Sequence, residues 1–176
     1  MTQVARDRFF LNDAQKKAKN GLTCLSGDAR ILLRESDDTY DVVFNDTFAG
    51  DEPVRTTSTR EAAQEVKDHL SDDGLYVMNI IGYGDGDPNQ FLAWEVLTLK
   101  DVFSHVYVLS DVSDIDDATL TNSIRNWIVV ATDGDWKPSD DMVTFDVNCD
   151  GARVLTDNDC PVEWLTTLLE AKSSDK

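Results

Sequence analysis

Tyr40-Asp41-Val42-Val43-Phe44-Asn45-Asp46, with Gly27-Asp28-Ala29-Arg30 before it and Gly74-Leu75-Tyr76-Val77-Met78-Asn79 after it, is the stretch on which the fold turns. The continuous apolar run at positions 42–44 suits a strand covered on both faces, as in a parallel sheet. Each segment closes on a polar group. Together they read as three consecutive strand ends of an α/β sheet of the nucleotide-binding type. In such open sheets ligands sit beyond the carboxyl ends of the strands, so Asp28, Asp46 and Asn79 are the first functional candidates.

Upstream, Val4 to Leu11 reads as the end of a helix with one apolar side, stopped at Asn20-Gly21. Leu22 to Ser26 reads as a short strand and Ala29 to Arg34 as a helical turn. Downstream, Ser58 to Leu70 is a predicted helix, entered by Ser58 with Glu61 three residues later as a capping box and left at Asp73-Gly74. Leu75 to Ile81 is the next strand. The loop from Gly82 to Pro88 leads into a helix over Gln90 to Val102, with Phe91, Trp94, Leu97 and Leu99 directed inward. His105 to Leu109 and Trp127 to Ala131 follow as strands, joined by an acidic connection around Asp114 to Asp117. A last helix over Val162 to Ala171 and a frayed tail over 173–176 complete a chain with no internal repeat, read as a single partial domain over 1–176.

The 176 residues are 41% apolar and 28% charged, enough for one domain with a core. The apolar runs are far shorter than a membrane span and the first residues do not resemble a signal peptide, so the expected location is the cytoplasm, away from any membrane. Three cysteines without a CxxC spacing and two histidines support neither a disulfide framework nor a metal site. A net charge of −18, with 16 Lys and Arg against 34 acids, argues against a nucleic-acid partner and favours cationic ligands. A generally acidic surface that serves solubility accounts for much of the same excess.

The chemistry of the strand ends is specific enough to state. Asp28 could accept from an exocyclic amine such as the adenine N6 while the Ala29 amide donates to a ring nitrogen, or Asp28 could cap the helix that follows. Asp46 could orient a cationic amine and take its proton, or bind its own backbone in a turn. Asn79 could hydrogen-bond a substrate amine or satisfy a buried loop.

In order and spacing these residues resemble the polyamine aminopropyltransferases, in particular the divergent bacterial spermidine synthase-like proteins. The resemblance rests on Gly27 to Arg30, on Tyr40 to Val43 ending in Asp46, and on Thr57 to Glu61. It continues through Asp73 to Asn79 and the closing Leu155-Thr156-Asp157 through Pro161-Val162-Glu163. It implies a truncated methyltransferase-like Rossmann fold, a mostly parallel sheet with helices on both faces, in the family strand order 3-2-1-4-5-7-6. Leu22 to Ser26 would be strand 3 and Asp41 to Asn45 strand 4, with the first two sheet strands lacking. It also implies decarboxylated S-adenosylmethionine as co-substrate, or S-adenosylmethionine for a methyltransferase on the same fold, with a diamine as acceptor. Asp28 and Ala29 would then meet the adenine, Asp46 would be the base, and Asn79 would hold the amine.

Two departures from the family pattern shape the expectations. The family's second carboxylate, three residues after the base, is replaced by Ala49, so Asp51 or Glu52, just before Pro53, is the expected substrate-binding substitute from a longer loop, at a different geometry. The β-hairpin domain, the Gly-rich donor loop and the ribose-gripping acid of the family have no counterpart here. An open strand edge at Asp41 to Asn45 follows, with a homodimer or a complementing chain as the expected partner, or else a rearranged sheet. A non-catalytic domain that keeps this part of the fold is the remaining alternative.

Overall fold

The computed structural model describes residues 2–49, 52–82, 91–110, 125–163 and 165. The elements run α1 (Thr2–Arg8), α2 (Leu11–Lys17), α3 (Ala29–Arg34), β1 (Tyr40–Asn45), β2 (Phe48–Ala49) and β3 (Glu52–Pro53). After a 3₁₀ turn at Arg55–Thr57 come α4 (Arg60–Asp68), β4 (Leu70–Gly82), α5 (Phe91–Val102), β5 (His105–Ser110), β6 (Arg125–Thr132) and β7 (Val143–Phe145).

The main sheet has five strands in the order β1-β4-β6-β5-β7. Only β1 and β4 pair in parallel, while β6 lies antiparallel to both β4 and β5, and β7 antiparallel to β5. The sheet is therefore mixed, and the parallel content expected from the sequence shrinks to one pair because the reversed β6 is inserted between β4 and β5. By direction, β1, β4 and β5 still run the same way, so their carboxyl ends share one edge of the molecule. The order of the first four strands matches the 4-5-7-6 half of the methyltransferase-type sheet.

Burial explains why these segments are strands. Along β4, Tyr76, Met78 and Ile80 are buried while Val77, Asn79 and Ile81 are half-buried, the period of two that one well-covered face imposes. Covering that face are Ala63 and Val66 of α4 and Phe91, Leu92, Val96 and Leu99 of α5, and the same core takes in Trp127 and Val129 of β6. α5 is buried nearly all round because the segment 147–165 passes over its outer side. There the Leu155 amide donates to Thr98 Oγ1 at 2.8 Å, and Arg153 lies 4.9 Å over the Trp94 ring. Among the described residues α3, α4 and α5 pack in sequence over the one covered face, whereas α1 and α2 pack chiefly against each other and α2 buries nothing.

Three sequence expectations are corrected. Leu22 to Ser26 forms no strand and leaves Leu22 and Leu25 exposed, because a strand exists only by pairing and no neighbour stands beside it. It does not move over to pair with β1, the end strand of the sheet, on which Val42 keeps 53% and Phe44 58% exposure. The α4 helix begins one residue later than predicted: Thr59, not Ser58, is its N-cap, accepting from the Ala62 amide, while the Ser58 hydroxyl donates to the Val54 carbonyl. β4 starts at Leu70, ahead of the predicted Leu75, through a bulge between the Tyr40–Leu70 and Val42–Leu75 pairs. Gly74 permits this bulge, since a Cβ there would lie 2.8 Å from Leu70 Cβ and 2.9 Å from the Ser71 carbonyl oxygen. The β2–β3 hairpin and β7 were not legible in the sequence. The expected loop at 83–88, the acidic connection at 114–117 and most of the last helix lie outside the described residues.

Candidate functional site at the strand ends

Asp46 follows β1 directly, and Asn79 lies near the carboxyl end of the adjacent β4. The parallel register sets Asn45 opposite Met78, which brings the next residues of both strands together. Asn79 Nδ2 donates to Asp46 Oδ1 at 2.8 Å. That bond fixes which end of the amide faces the carboxylate and leaves Asn79 Oδ1 buried with no hydrogen-bond partner. An orphaned buried acceptor is uncommon and costs on the order of 1–3 kcal/mol unless a donor arrives. Asn79 also lines a cavity of ≈ 10 Å³ with Asn45, Thr47, Thr57, Phe48, Met78 and Phe91 among its walls. That space is at the lower limit for one water molecule, and Asp46 is not among its walls.

Asp46 does not bind its own backbone. The turn around it is made by Asn45, whose Oδ1 accepts from the Thr47 amide at 3.2 Å and the Thr47 hydroxyl at 2.7 Å. With its neighbour closing the turn, the Asp46 carboxylate stays exposed and available to Asn79.

Asp28 is the N-cap of α3, with Oδ1 accepting from the Arg30 amide at 2.9 Å and the Ile31 amide at 3.2 Å. Capping, one of the two roles open from the sequence, is therefore present. Ala29 lines a second, mostly apolar cavity of ≈ 150 Å³ between α3, β1 and α4, floored by Val43, Phe44, Asn45 and Tyr76. The two cavities share Asn45, Thr47 and Thr57 as walls, so Ala29 and Asn79 stand on adjoining spaces. Asp51 lies outside the described residues.

Two groups of residues around the site were missed by sequence reasoning. Arg30 holds α3 in place: Nε and Nη2 grip Glu65 of α4 at 2.8 Å each, and Nη1 and Nη2 grip Asp157 at 2.7 and 2.9 Å. Arg34 also binds Glu65. The hydrogen bond from Arg30, opposed by partial burial and reinforced by Arg34, holds the Glu65 carboxyl down to about 2, and the two carboxylates hold the Arg30 guanidinium above its usual range. Asp157 ties the closing segment to α4 as well, accepting from the Thr59 hydroxyl at 2.7 Å. The second group is buried: Asn45 Nδ2 donates to the Tyr76 hydroxyl at 2.9 Å, and burial pushes the Tyr76 phenol above its ordinary range. Glu95 is 1% exposed with Oε2 unpartnered, and burial raises its carboxyl well above the ordinary range. An Asn interrupting an apolar strand run two residues before a Thr was the available signal for the first part of this group.

Among the described residues no cluster of His, Cys, Asp and Glu could hold a metal ion, and no helix is long and apolar enough to cross a membrane.

No protein-family model matches the sequence, and no curated protein matches it either. Solved structures do match in fold. A probable spermidine synthase from Corynebacterium glutamicum superposes with a TM-score of 0.63 at 23% identity, over 79% of this chain and 46% of that one. Spermidine synthase from Thermotoga maritima gives 0.54 at 17% identity, over 75% and 42%. Human methyltransferase-like protein 13, in complex with SAH, gives 0.51 at 17% identity, over 98% of this chain and 66% of that one. The chain has a methyltransferase-like Rossmann fold, and it spans less than half the length of the two spermidine synthases it resembles.

Proposed function

We propose that the strand-end site serves aminopropyl transfer from decarboxylated S-adenosylmethionine to a small amine, a diamine in the family pattern, as in polyamine biosynthesis. The observation that carries this reading is the Asn79–Asp46 pair: a buried amide oxygen without a donor, beside a carboxylate, where β1 and the neighbouring β4 approach their carboxyl ends. Two acceptors side by side call for a ligand with several N–H groups. The fold likeness to spermidine synthases supports the donor class.

The reaction is a displacement at carbon. The amine nitrogen lone pair forms a bond to the aminopropyl carbon attached to the sulfonium, the C–S bond breaks, and methylthioadenosine leaves with that electron pair. The proton lost by the amine passes to Asp46, which acts as general base while Asn79 holds the nitrogen in line. Ala29 and the capped start of α3 receive the adenine. Asp51 contributes a second carboxylate to a diamine. The donor side is completed at the open edge of β1 by a second copy or a complementing chain. A second reading, methyl transfer from S-adenosylmethionine, is favoured by the likeness to the methyltransferase, which extends over 98% of this chain.

Product analysis tests the proposal. With decarboxylated S-adenosylmethionine and a panel of amines, the chain together with the second copy or complementing chain that completes its donor side should form methylthioadenosine and the lengthened amine, and Asp46→Asn should lower the rate by about 10²- to 10⁴-fold. A completed assembly that forms neither product, or a variant at the wild-type rate, would overturn it. Methylated amine from S-adenosylmethionine would select the second reading.

A further inference from the structure

We infer that Asn45, anchored on Tyr76, is the positioning residue that holds Asp46 against Asn79. Three observations carry this. Asn45 uses both ends of its amide: Nδ2 reaches down to the Tyr76 hydroxyl at 2.9 Å, and Oδ1 gathers the Thr47 amide and hydroxyl on the far side of Asp46. Asp46 is the middle residue of that closed turn, so its backbone direction is set by its neighbour's side chain. The anchor itself cannot drift, because Tyr76 is 2% exposed on the central strand pair and its ring packs 6.1 Å from Phe103.

Thr47 extends the brace: its own proton goes to Asn45 Oδ1, and its oxygen accepts from the Thr57 hydroxyl at 2.9 Å, a partner for that proton in place of the Val54 carbonyl at 3.0 Å. The turn that presents Asp46 is thereby tied to both β4 and the approach to α4. An apolar residue at position 45 would continue the strand's Val-Val-Phe pattern and pack against Tyr76, but it could neither bond the phenol nor close the turn. The polar interruption directly before the candidate base is therefore a device for orientation. Its functional weight rests on the transferase reading above, but its physical content does not.

The test uses the ¹⁵N-labelled full chain without ligand. The side-chain amide of Asn79, bonded to a carboxylate, gives its own pair of proton signals whose exchange with solvent reports the Asp46 contact. Tyr76→Phe deletes only the phenolic oxygen and Asn45→Val deletes both arms of the anchor. In each, Asn79 side-chain exchange should rise roughly tenfold, the equivalent of losing one charge-assisted hydrogen bond, while backbone protection across β4 and β6 stays at the wild-type level. Unchanged Asn79 exchange in Asn45→Val overturns the inference. So does equal loss of protection across β4 and β6, since that marks a general structural role. Should Tyr76→Phe fail to fold, Asn45→Val decides on the same two readouts. Adding putrescine to the wild-type sample separates the two proposals: no shift of the Asn79 signals counts against the transferase function and leaves the anchor standing.

Discussion

At the scale of single residues, the site is a set of polar groups that divide the work between neighbours. Asn45 makes the turn, and Asp46 is left to face Asn79. Asp46 and Asn79 were candidates from the sequence because each lies at or near the carboxyl end of a strand of recognisable pattern. The bond between them also required a register, which sequence periodicity does not give. Asn45 was hidden inside the motif itself, since its role depends on a phenol on another strand. Glu95 was read as part of a helix and nothing more, yet it is a carboxyl buried in the core.

Glu95 yields a prediction with a definite sign. Burial raises its folded-state pKa above the unfolded value, so its contribution to stability is fully present below the unfolded pKa and is lost as pH rises toward the folded value. Glu95→Gln removes the proton-binding demand while keeping the shape. Its melting temperature should match wild type near pH 4 and exceed it progressively toward pH 8, by about 2–4 °C for each kcal/mol recovered in a chain of this size. A difference that stays flat across that range would contradict the assignment of a protonated buried acid.

At the scale of elements, α3 is only six residues long and buries no residue, so its place depends on its ends and its ion pairs. Asp28 caps it, and Arg30 binds it simultaneously to α4 and to the closing segment. The Arg30 side chain is 10% exposed, and its partner Asp157 is 127 residues away in sequence, a separation that no local pattern could reveal. The predicted capping box at Ser58 failed for a local reason: Ser58 spends its hydroxyl on the preceding turn, and Thr59 takes the cap. The Leu22 to Ser26 strand failed for a non-local one, since apolar composition without a pairing neighbour does not make a strand.

The clamp has its own pH signature. Glu65 has a folded-state pKa of about 2, below its unfolded value of 4.5, so its stabilisation is present above pH 4.5 and is lost as pH falls toward 2. Glu65→Gln should cost about 1–2 kcal/mol at pH 7, since two guanidinium groups lose a partly screened partner. Denaturant unfolding at pH 7 and near pH 2.5 checks this, and the gap between variant and wild type should narrow at the lower pH. A gap that widens there would show that the carboxylate is not what the two arginines hold.

At the scale of the whole molecule, strand directions converge the ends of β1, β4 and β5 on one edge, and everything proposed for chemistry lies there. Alternating apolar strands and helices made the α/β class accessible from sequence, and the 4-5-7-6 half of the strand order was implied by the resemblance to the aminopropyltransferases. The reversal of β6 between β4 and β5 leaves one parallel pair, and the short β2–β3 and β7 strands had too few residues to show a period. β1 is the end strand of the sheet, and Val42 and Phe44 stand exposed on one of its faces, with Phe44 also lining the ≈ 150 Å³ cavity beside Ala29. The same face that would receive a nucleoside therefore adjoins the edge that would receive a further strand. The net charge of −18 is in keeping with a cationic amine or sulfonium as ligand.

The measurement that tests this account most directly is a calorimetric titration of the full chain with decarboxylated S-adenosylmethionine, S-adenosylmethionine and methylthioadenosine. The account predicts saturable binding, tighter for the decarboxylated donor than for S-adenosylmethionine. Absence of heat for all three ligands would contradict a nucleoside site at these strand ends.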